Sequence, residues 1–388
     1  MQMNGATPLG TASKILRTAH VAAARPGAAQ ELCAALGPGP FAVVILFISP
    51  EADLPALTRT AARCFSGSMV IGCTTAGEIS AQGYTEGEIV AVALPTRHFA
   101  VETILIPDLG RLEPEALIGR MMRARQSLGQ MHPEWAHEFA FLMVDGLSIR
   151  EDELTSTLAS GLGPVPLFGG SAGDGVRFER TFVLHDGEAL QNAAILSLIR
   201  TECPVRVFNL DHLVPTALRM VVTDADPEHR IVRRINAEPA AQEYARILGK
   251  DPGQLTTFTF AAHPVVVRIG GKHHVRAIQQ VAPNGDLVFF SAIDEGLVLT
   301  LAEPQDMVAH LSRELAALTR GAAPEAILAC DCILRRMEAQ EKQKTGQISD
   351  LLRQHRVVGF STYGEQLNGM HVNQTMTGVA IYAPGTTP

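Results

Sequence analysis

The stretch Phe139-Ala140-Phe141-Leu142-Met143-Val144-Asp145-Gly146, continued by Arg150 to Gly161 and then by Pro164-Val165-Pro166-Leu167-Phe168-Gly169-Gly170-Ser171-Ala172-Gly173-Asp174-Gly175, decides the class of fold. Phe139–Val144 reads as a strand, and about Arg150 to Gly161 reads as a helix. Pro164–Phe168 then opens a glycine-rich loop. Two strands follow, Thr181–His185 and Ala193–Ile199. The Asp186-Gly187 pair between them suits a tight hairpin, because glycine accepts the positive φ that such turns demand. Strand, helix and strand in this order form an α/β pattern.

The pattern extends in both directions. Upstream, Phe41–Ile48, Met69–Cys73, Glu88–Leu94 and Val101–Ile106 read as strands and Glu113–Leu128 as a helix. Around Glu202–Pro204 a second series begins, with strands near Val205–Asn209, Ala217–Thr223 and Ile231–Ile235 and a helix at Pro239–Leu248. Strands Val265–Ile269, His274–Gln280 and Leu287–Ile293 come next, the last two turned by Pro283-Asn284-Gly285. Helix Gln305–Leu318, strand Ala326–Cys330, helices at Cys332–Glu341 and Gln347–Gln354, and strands Val357–Ser361 and Gln374–Ala383 complete the order. The expected fold is mixed α/β (α+β): two related halves with largely antiparallel or mixed sheets flanked by helices. An N-terminal extension is expected over 1–30, a first domain over 31–203 and a second over 204–388. No fixed-period repeat stands out, which argues against a solenoid.

The chain has 388 residues, 46% hydrophobic, enough for two cores of ordinary size. Its formal net charge is −8 and its isoelectric point about 5.9, with Lys and Arg scattered apart from pairs such as Arg233-Arg234 and Arg335-Arg336. Nucleic acid is therefore not an expected partner. The polar start, Met1 to Ala12, lacks the charge and apolar run of a signal peptide. Phe41–Ile48 is eight residues long, a buried strand and far short of the roughly 20 a membrane helix needs. Cysteines at 33, 64, 73, 203, 330 and 332 are too dispersed for a disulfide scaffold, so a reducing cytoplasm is expected and no membrane.

Four segments resemble the FIST family. They are Ile71-Gly72-Cys73-Thr74-Thr75-Ala76-Gly77-Glu78; Phe168 to Gly175 with Thr181 and Asp186-Gly187; His273-His274-Val275-Arg276-Ala277-Ile278 with Ala292-Ile293-Asp294-Glu295-Gly296-Leu297-Val298-Leu299; and Cys332-Ile333-Leu334-Arg335-Arg336 with Val358 to Gln366 and Gly369 to Thr375. The resemblance implies FIST-N and FIST-C halves that bind small ligands upstream of signalling enzymes. The later segments look most like the NosP-type branch, which implies haem b, detection of nitric oxide, and a partner histidine kinase or a diguanylate cyclase or phosphodiesterase. A homodimer stays open.

Within that resemblance, His371 is the expected ligand of the haem iron, since a neutral imidazole can give its Nε2 lone pair to ferrous iron. The plain alternative is a buried histidine bonded to backbone. His263, pushed toward extended geometry by Pro264, is the second choice. His273 and His274 are neighbours on a strand, point to opposite faces and read as hairpin surface. Arg276 and Arg335 or Arg336 could meet the propionates, and Phe360, Met370 and Met376 could line an apolar slot, against the blander readings of solvated ion pairs and ordinary core. If the cargo is a small metabolite such as an amino acid instead, Thr74, Thr75, Ser171 and Asp174 would supply polar contacts. The glycine run at 169–175 could hold an anion, though close packing between layers is the simpler account. Cys73 has no histidine nearby to activate it, and no nucleophile, base and orienting acid form a recognisable set, so no catalysis is expected. Cys330 and Cys332 share a strand face and read as small buried hydrophobes.

Overall fold

The computed structural model describes residues 15–269 and 271–387. Its first unit comprises β1 (Arg17–Ala22), α1 (Ala28–Leu36), β2 (Phe41–Ile48), α2 (Leu54–Cys64), β3 (Met69–Thr74), a hairpin of β4 (Glu78–Ser80) and β5 (Gly83–Thr85), and β6 (Glu88–Pro95). The Asp53 side chain accepts from the Ala56 N–H and so caps α2, with proline in its first turn.

The same order recurs. The second unit holds β7 (Phe99–Ile106), α3 (Pro114–Met131), β8 (His137–Val144), α4 (Glu151–Leu162), β9 (Leu167–Ser171), the hairpin β10 (Val183–His185) and β11 (Glu188–Leu190), and β12 (Ala194–Thr201). The third opens with β13 (Val205–Leu210). It is then interrupted by an inserted subdomain of β14 (Leu213–Asp226), β15 (Ile231–Ile235), β16 (Glu238–Pro239), α5 (Ala240–Leu248), α6 (Thr257–Ala262), β17 (Val265–Ile269), β18 (Lys272–Val275), β19 (Ile278–Val281), β20 (Leu287–Phe289) and β21 (Val298–Pro304). The third unit resumes with α7 (Met307–Ala317), β22 (Ala326–Cys332), α8 (Ile333–Glu341), α9 (Thr345–Gln354), β23 (Val357–Thr362), the hairpin β24 (Glu365–Leu367) and β25 (Met370–Val372), and β26 (Met376–Ile381).

Strand order shows how the units interlock. The sheets run β1-β6-β2-β3-β10-β11, β7-β12-β8-β9-β24-β25 and β13-β26-β22-β23-β4-β5. Each therefore has one parallel pair, β2 with β3, β8 with β9 and β22 with β23, and each ends in a hairpin borrowed from another unit. The first unit lends β4–β5 to the third, the second lends β10–β11 to the first, and the third lends β24–β25 to the second. The inserted strands form a separate eight-stranded sheet.

The inner faces of the three six-stranded sheets meet in one core. Phe47 of β2 stacks on Phe360 of β23 at 4.6 Å and stands edge-on to Phe141 of β8 at 6.4 Å. The outer faces are covered by α1 and α2, by α3 and α4, and by α7 and α9. Strands buried on both faces are apolar at successive positions, which is why Phe41–Ile48 and Phe139–Val144 do not alternate.

The expected mixed α/β class is what the chain adopts. Its internal relationship runs over three units and not two halves, while the reading of no fixed-period repeat stands, because the insertion destroys a constant period although the topology repeats. Gly169 and Gly170 belong to β9 and not to a loop, because the β8 backbone lies so close that a Cβ at Gly169 would overlap the Leu142 carbonyl oxygen. Of the expected extension, 1–14 lie outside the described residues and Arg17–Ala22 is instead an edge strand paired with β6. The junction at 203/204 falls between β12 and β13.

Candidate functional site

In open α/β sheets, ligands settle outside the carboxyl ends of parallel strands. Each unit offers one such place. Its second parallel strand carries a tightly packed glycine, Gly72, Gly169 or Gly359, where a Cβ would overlap the carbonyl oxygen of Leu46, Leu142 or Ala329. Two residues on stands a hydroxyl: Thr74, Ser171 or Ser361. The chain then turns and leaves as the lent hairpin.

The first cleft is open. A cavity of about 160 Å³ lies between Ser49 and Pro50 after β2, Thr74 at the end of β3, and the loop Asp174–Phe182 lent by the second unit. The Thr74 hydroxyl accepts from the Phe182 N–H at 3.0 Å. Asp174 shapes the loop: its carboxylate accepts from the N–H groups of Phe178, Glu179 and Arg180 at 2.8, 2.9 and 2.9 Å and from the Tyr363 hydroxyl. Burial alone would raise the Asp174 carboxyl, but these donors outweigh it and hold it below its usual range. Arg177, Glu179 and Arg180, all exposed, stand on the rim.

The second cleft is filled by the borrowed hairpin. The Gln366 amide donates to the Ser171 hydroxyl at 2.9 Å and lies 3.3 Å from Nδ1 of His371. His371 is buried, burial lowers its pKa and so favours the neutral ring, and its Nε2 has no partner. The inserted subdomain covers this cleft: Ser291 donates to Asn373 at 2.9 Å, and Gln374 to the Ala261 carbonyl at 2.9 Å.

The third cleft is plugged by a guanidinium. Arg336 donates to the carbonyls of Thr85 and Glu78 at 2.7 and 3.3 Å, to the Ser361 hydroxyl at 3.4 Å, and to Glu86 at 3.2 Å. A Cβ at Gly77 would overlap this group.

A FIST N domain model matches residues 42–238 and a FIST C domain model matches residues 240–368. The chain belongs to the FIST family. No curated protein matches it. FIST domains are sensory, which gives this FIST protein a sensory role in signalling. The FIST N match begins in β2, continues through the second unit and β13 and enters the inserted sheet, so the family boundary does not coincide with a unit boundary. Among the described residues no helix is long and apolar enough to cross a membrane.

The residues singled out in the FIST sequence separate into several places. Thr74 and Asp174 line the first cleft together. Ser171 belongs to the second, and Thr75 is buried, its hydroxyl donating to Glu78 and lying 3.3 Å from the Ile48 carbonyl oxygen. Those expected around haem converge only in part: Arg276 acts electrostatically on His371, whereas the others lie elsewhere. His371 is in the second cleft, but the neighbouring Met370 is 37% exposed and Phe360 lies in the central core. Arg335 is buried against Asp331 and His212, both at 2.8 Å. Arg276 donates to the Val275 carbonyl at 3.2 Å, and burial lowers its pKa. His263 ends α6, where its carbonyl accepts from the Tyr244 hydroxyl. Sequence reasoning missed Ser49, Arg177 and Arg180; the charged run Arg177-Phe178-Glu179-Arg180 straight after the glycines was the available signal.

Proposed function

We propose that this FIST protein is a sensory module whose ligand is a small zwitterionic metabolite, such as an amino acid, held in the first cleft. The observation that carries the reading is that, of three equivalent clefts, the second and third are closed by Gln366 with His371 and by Arg336, while the first retains a cavity. Arg177 and Arg180 suit a carboxylate and Glu179 an ammonium, over hydroxyls of Ser49 and Thr74. The Thr74 hydroxyl accepts from the Phe182 N–H, and the Asp174 carboxylate is taken up by three backbone N–H groups, which supports a binding role for both. A partner histidine kinase or cyclic-di-GMP enzyme in the cytoplasm would receive the signal. Thermal-shift screening of amino acids and related small acids tests this. A true ligand at 100 times its Kd stabilises by about 2.7 kcal/mol, and Arg177→Ala with Arg180→Ala should erase the shift. A complete panel without a shift, or an equal shift in the double variant, overturns the assignment.

A second reading, haem b bound through His371 and used to detect nitric oxide, is favoured by the buried, partnerless Nε2. The residues as folded do not fit the whole group: Gly364 packs so closely on the imidazole that a Cβ there would lie 2.7 Å from Nε2, and Phe360 and Arg335 are engaged elsewhere. Haem would require the β24–β25 hairpin to leave the second cleft. A haem titration of wild type and His371→Ala decides it; a Soret band that is the same in both removes His371 from the role.

A further inference from the structure

The six thiols differ in reach. Cys73, Cys203, Cys330 and Cys332 are buried, and burial pushes all four thiols up and so away from the reactive thiolate. Cys33 and Cys64 are only half-buried, though burial and the neighbouring Cys64 raise the Cys33 thiol as well. Both β1 and β2 pair antiparallel with β6, so β1 and β2 run parallel, and the helices that follow them, α1 and α2, bring their carboxyl-terminal ends side by side. Cys33 lies in the second half of α1 and Cys64 is the last residue of α2. The Cys33 thiol donates to the Cys64 carbonyl oxygen at 3.2 Å across a sequence separation of 31 residues. The Cys64 side chain also acts electrostatically on the Cys33 thiol, which places the two sulfurs near each other; a disulfide needs the two Cα atoms within about 7 Å.

We propose that Cys33 and Cys64 are a covalent modification site, forming a reversible disulfide when the protein meets hydrogen peroxide. The Cys64 thiolate attacks one peroxide oxygen, the O–O bond breaks, and hydroxide leaves, giving a sulfenic acid at Cys64. The Cys33 sulfur then displaces the sulfenic hydroxyl; the S–S bond forms, and the Cys33 proton leaves with that hydroxyl as water. With the first hydroxide taking up the proton Cys64 had lost, two thiols are oxidised and one peroxide is reduced to two waters.

The bond would clamp α1 to α2. The amino-terminal turns of the same two helices border an open groove of about 490 Å³, and Ala52 and Leu54 at the start of α2 line the first cleft. The site stands independently of what that cleft binds.

The test uses the full chain treated with peroxide. Intact mass without reductant should show the loss of two hydrogens, and tryptic digestion should yield the peptides holding Cys33 and Cys64 joined to each other. Dithiothreitol should restore both, and the oxidised protein should melt a few degrees higher, as expected for a cross-link closing a loop of about 30 residues. Cys33→Ser keeps a donor for the Cys64 carbonyl and so keeps the fold, and it should lose the cross-link and the melting shift together, as should Cys64→Ser. Oxidation that stops at sulfinic or sulfonic acid on separate peptides, joins either residue to a different cysteine, or leaves both thiols free overturns the proposal.

Discussion

The hydroxyl of Tyr363, at the turn that leaves the third unit, donates to the carboxylate of Asp174, at the turn that leaves the second. The same oxygen lies 3.0 Å from the Gly175 carbonyl oxygen, and it accepts from the Asp174 N–H at 3.1 Å. One side chain thus ties the floor of the open cleft to the far unit, and its ring packs 4.6 Å from Phe178 of the cleft loop. Tyr363→Phe should cost about 1–2 kcal/mol in urea unfolding and weaken any ligand of the first cleft. Because Asp174 ionises below its usual 3.8, its contribution is present above that value and lost as pH falls through its folded pKa. Asp174→Asn should flatten the acid limb of stability measured below pH 4.

Glu365 behaves in the opposite sense. Full burial pushes its carboxyl up to about 8 against the pull of Thr362 and Thr375, whereas 4.5 is usual. Between those values the folded chain holds a proton that the unfolded chain has released, so stability falls as pH rises across the window and levels off above it. Glu365→Gln should remove most of that slope in denaturant titrations at pH 5, 6.5 and 8, and a slope unchanged in the variant would refute the assignment.

The close approach within each parallel pair can be probed at Gly359, where any Cβ would overlap the Ala329 backbone of β22. Gly359→Ala should destabilise by more than about 4 kcal/mol and leave little soluble protein. Gly346, in the first turn of α9 with nothing within 4 Å, is the contrast. Gly346→Ala should be neutral or stabilise by up to about 1 kcal/mol.

Arg335 is wholly buried, donating to Asp331 at 2.8 Å and packed 2.8 Å from His212, while the Tyr84 hydroxyl donates to the other oxygen of Asp331. Arg335→Met leaves the Asp331 charge uncompensated and should cost about 3–5 kcal/mol. Adding Asp331→Leu should recover much of it, measured by the same equilibrium unfolding.

Strands such as β2 and β8 were legible because both faces are buried and their apolar runs are unbroken. The helix α2 was not, since only Leu57, Thr58 and Ala61 are buried in it and its apolar stripe is thin. Of the short lent hairpins, the Asp186-Gly187 turn was legible, but it joins Val183–His185 to Glu188–Leu190 and not to Ala193–Ile199, which pairs with β7 and β8; β4–β5 and β24–β25 escaped for another reason. The edge that β24 covers, on β9, lies about 200 residues away in sequence, and no local pattern announces such a pairing. The first cleft was half legible: Thr74 and Asp174 stand out beside their glycines, but Ser49, Arg177 and Arg180 acquire meaning only once the loop of one unit is laid over the strands of another. His371 stood out as a histidine, and Gln366 beside it lies on the same hairpin, but the Ser171 hydroxyl that holds Gln366 comes from the second unit.

The ring of lent hairpins has a historical reading. An ancestor one unit long would satisfy the same strand neighbours by exchanging hairpins between identical chains, and a cyclic trimer doing so would carry three identical clefts. Tandem fusion of three copies would free each to diverge, so that Arg336 could seal one cleft and Gln366 another without cost to the third.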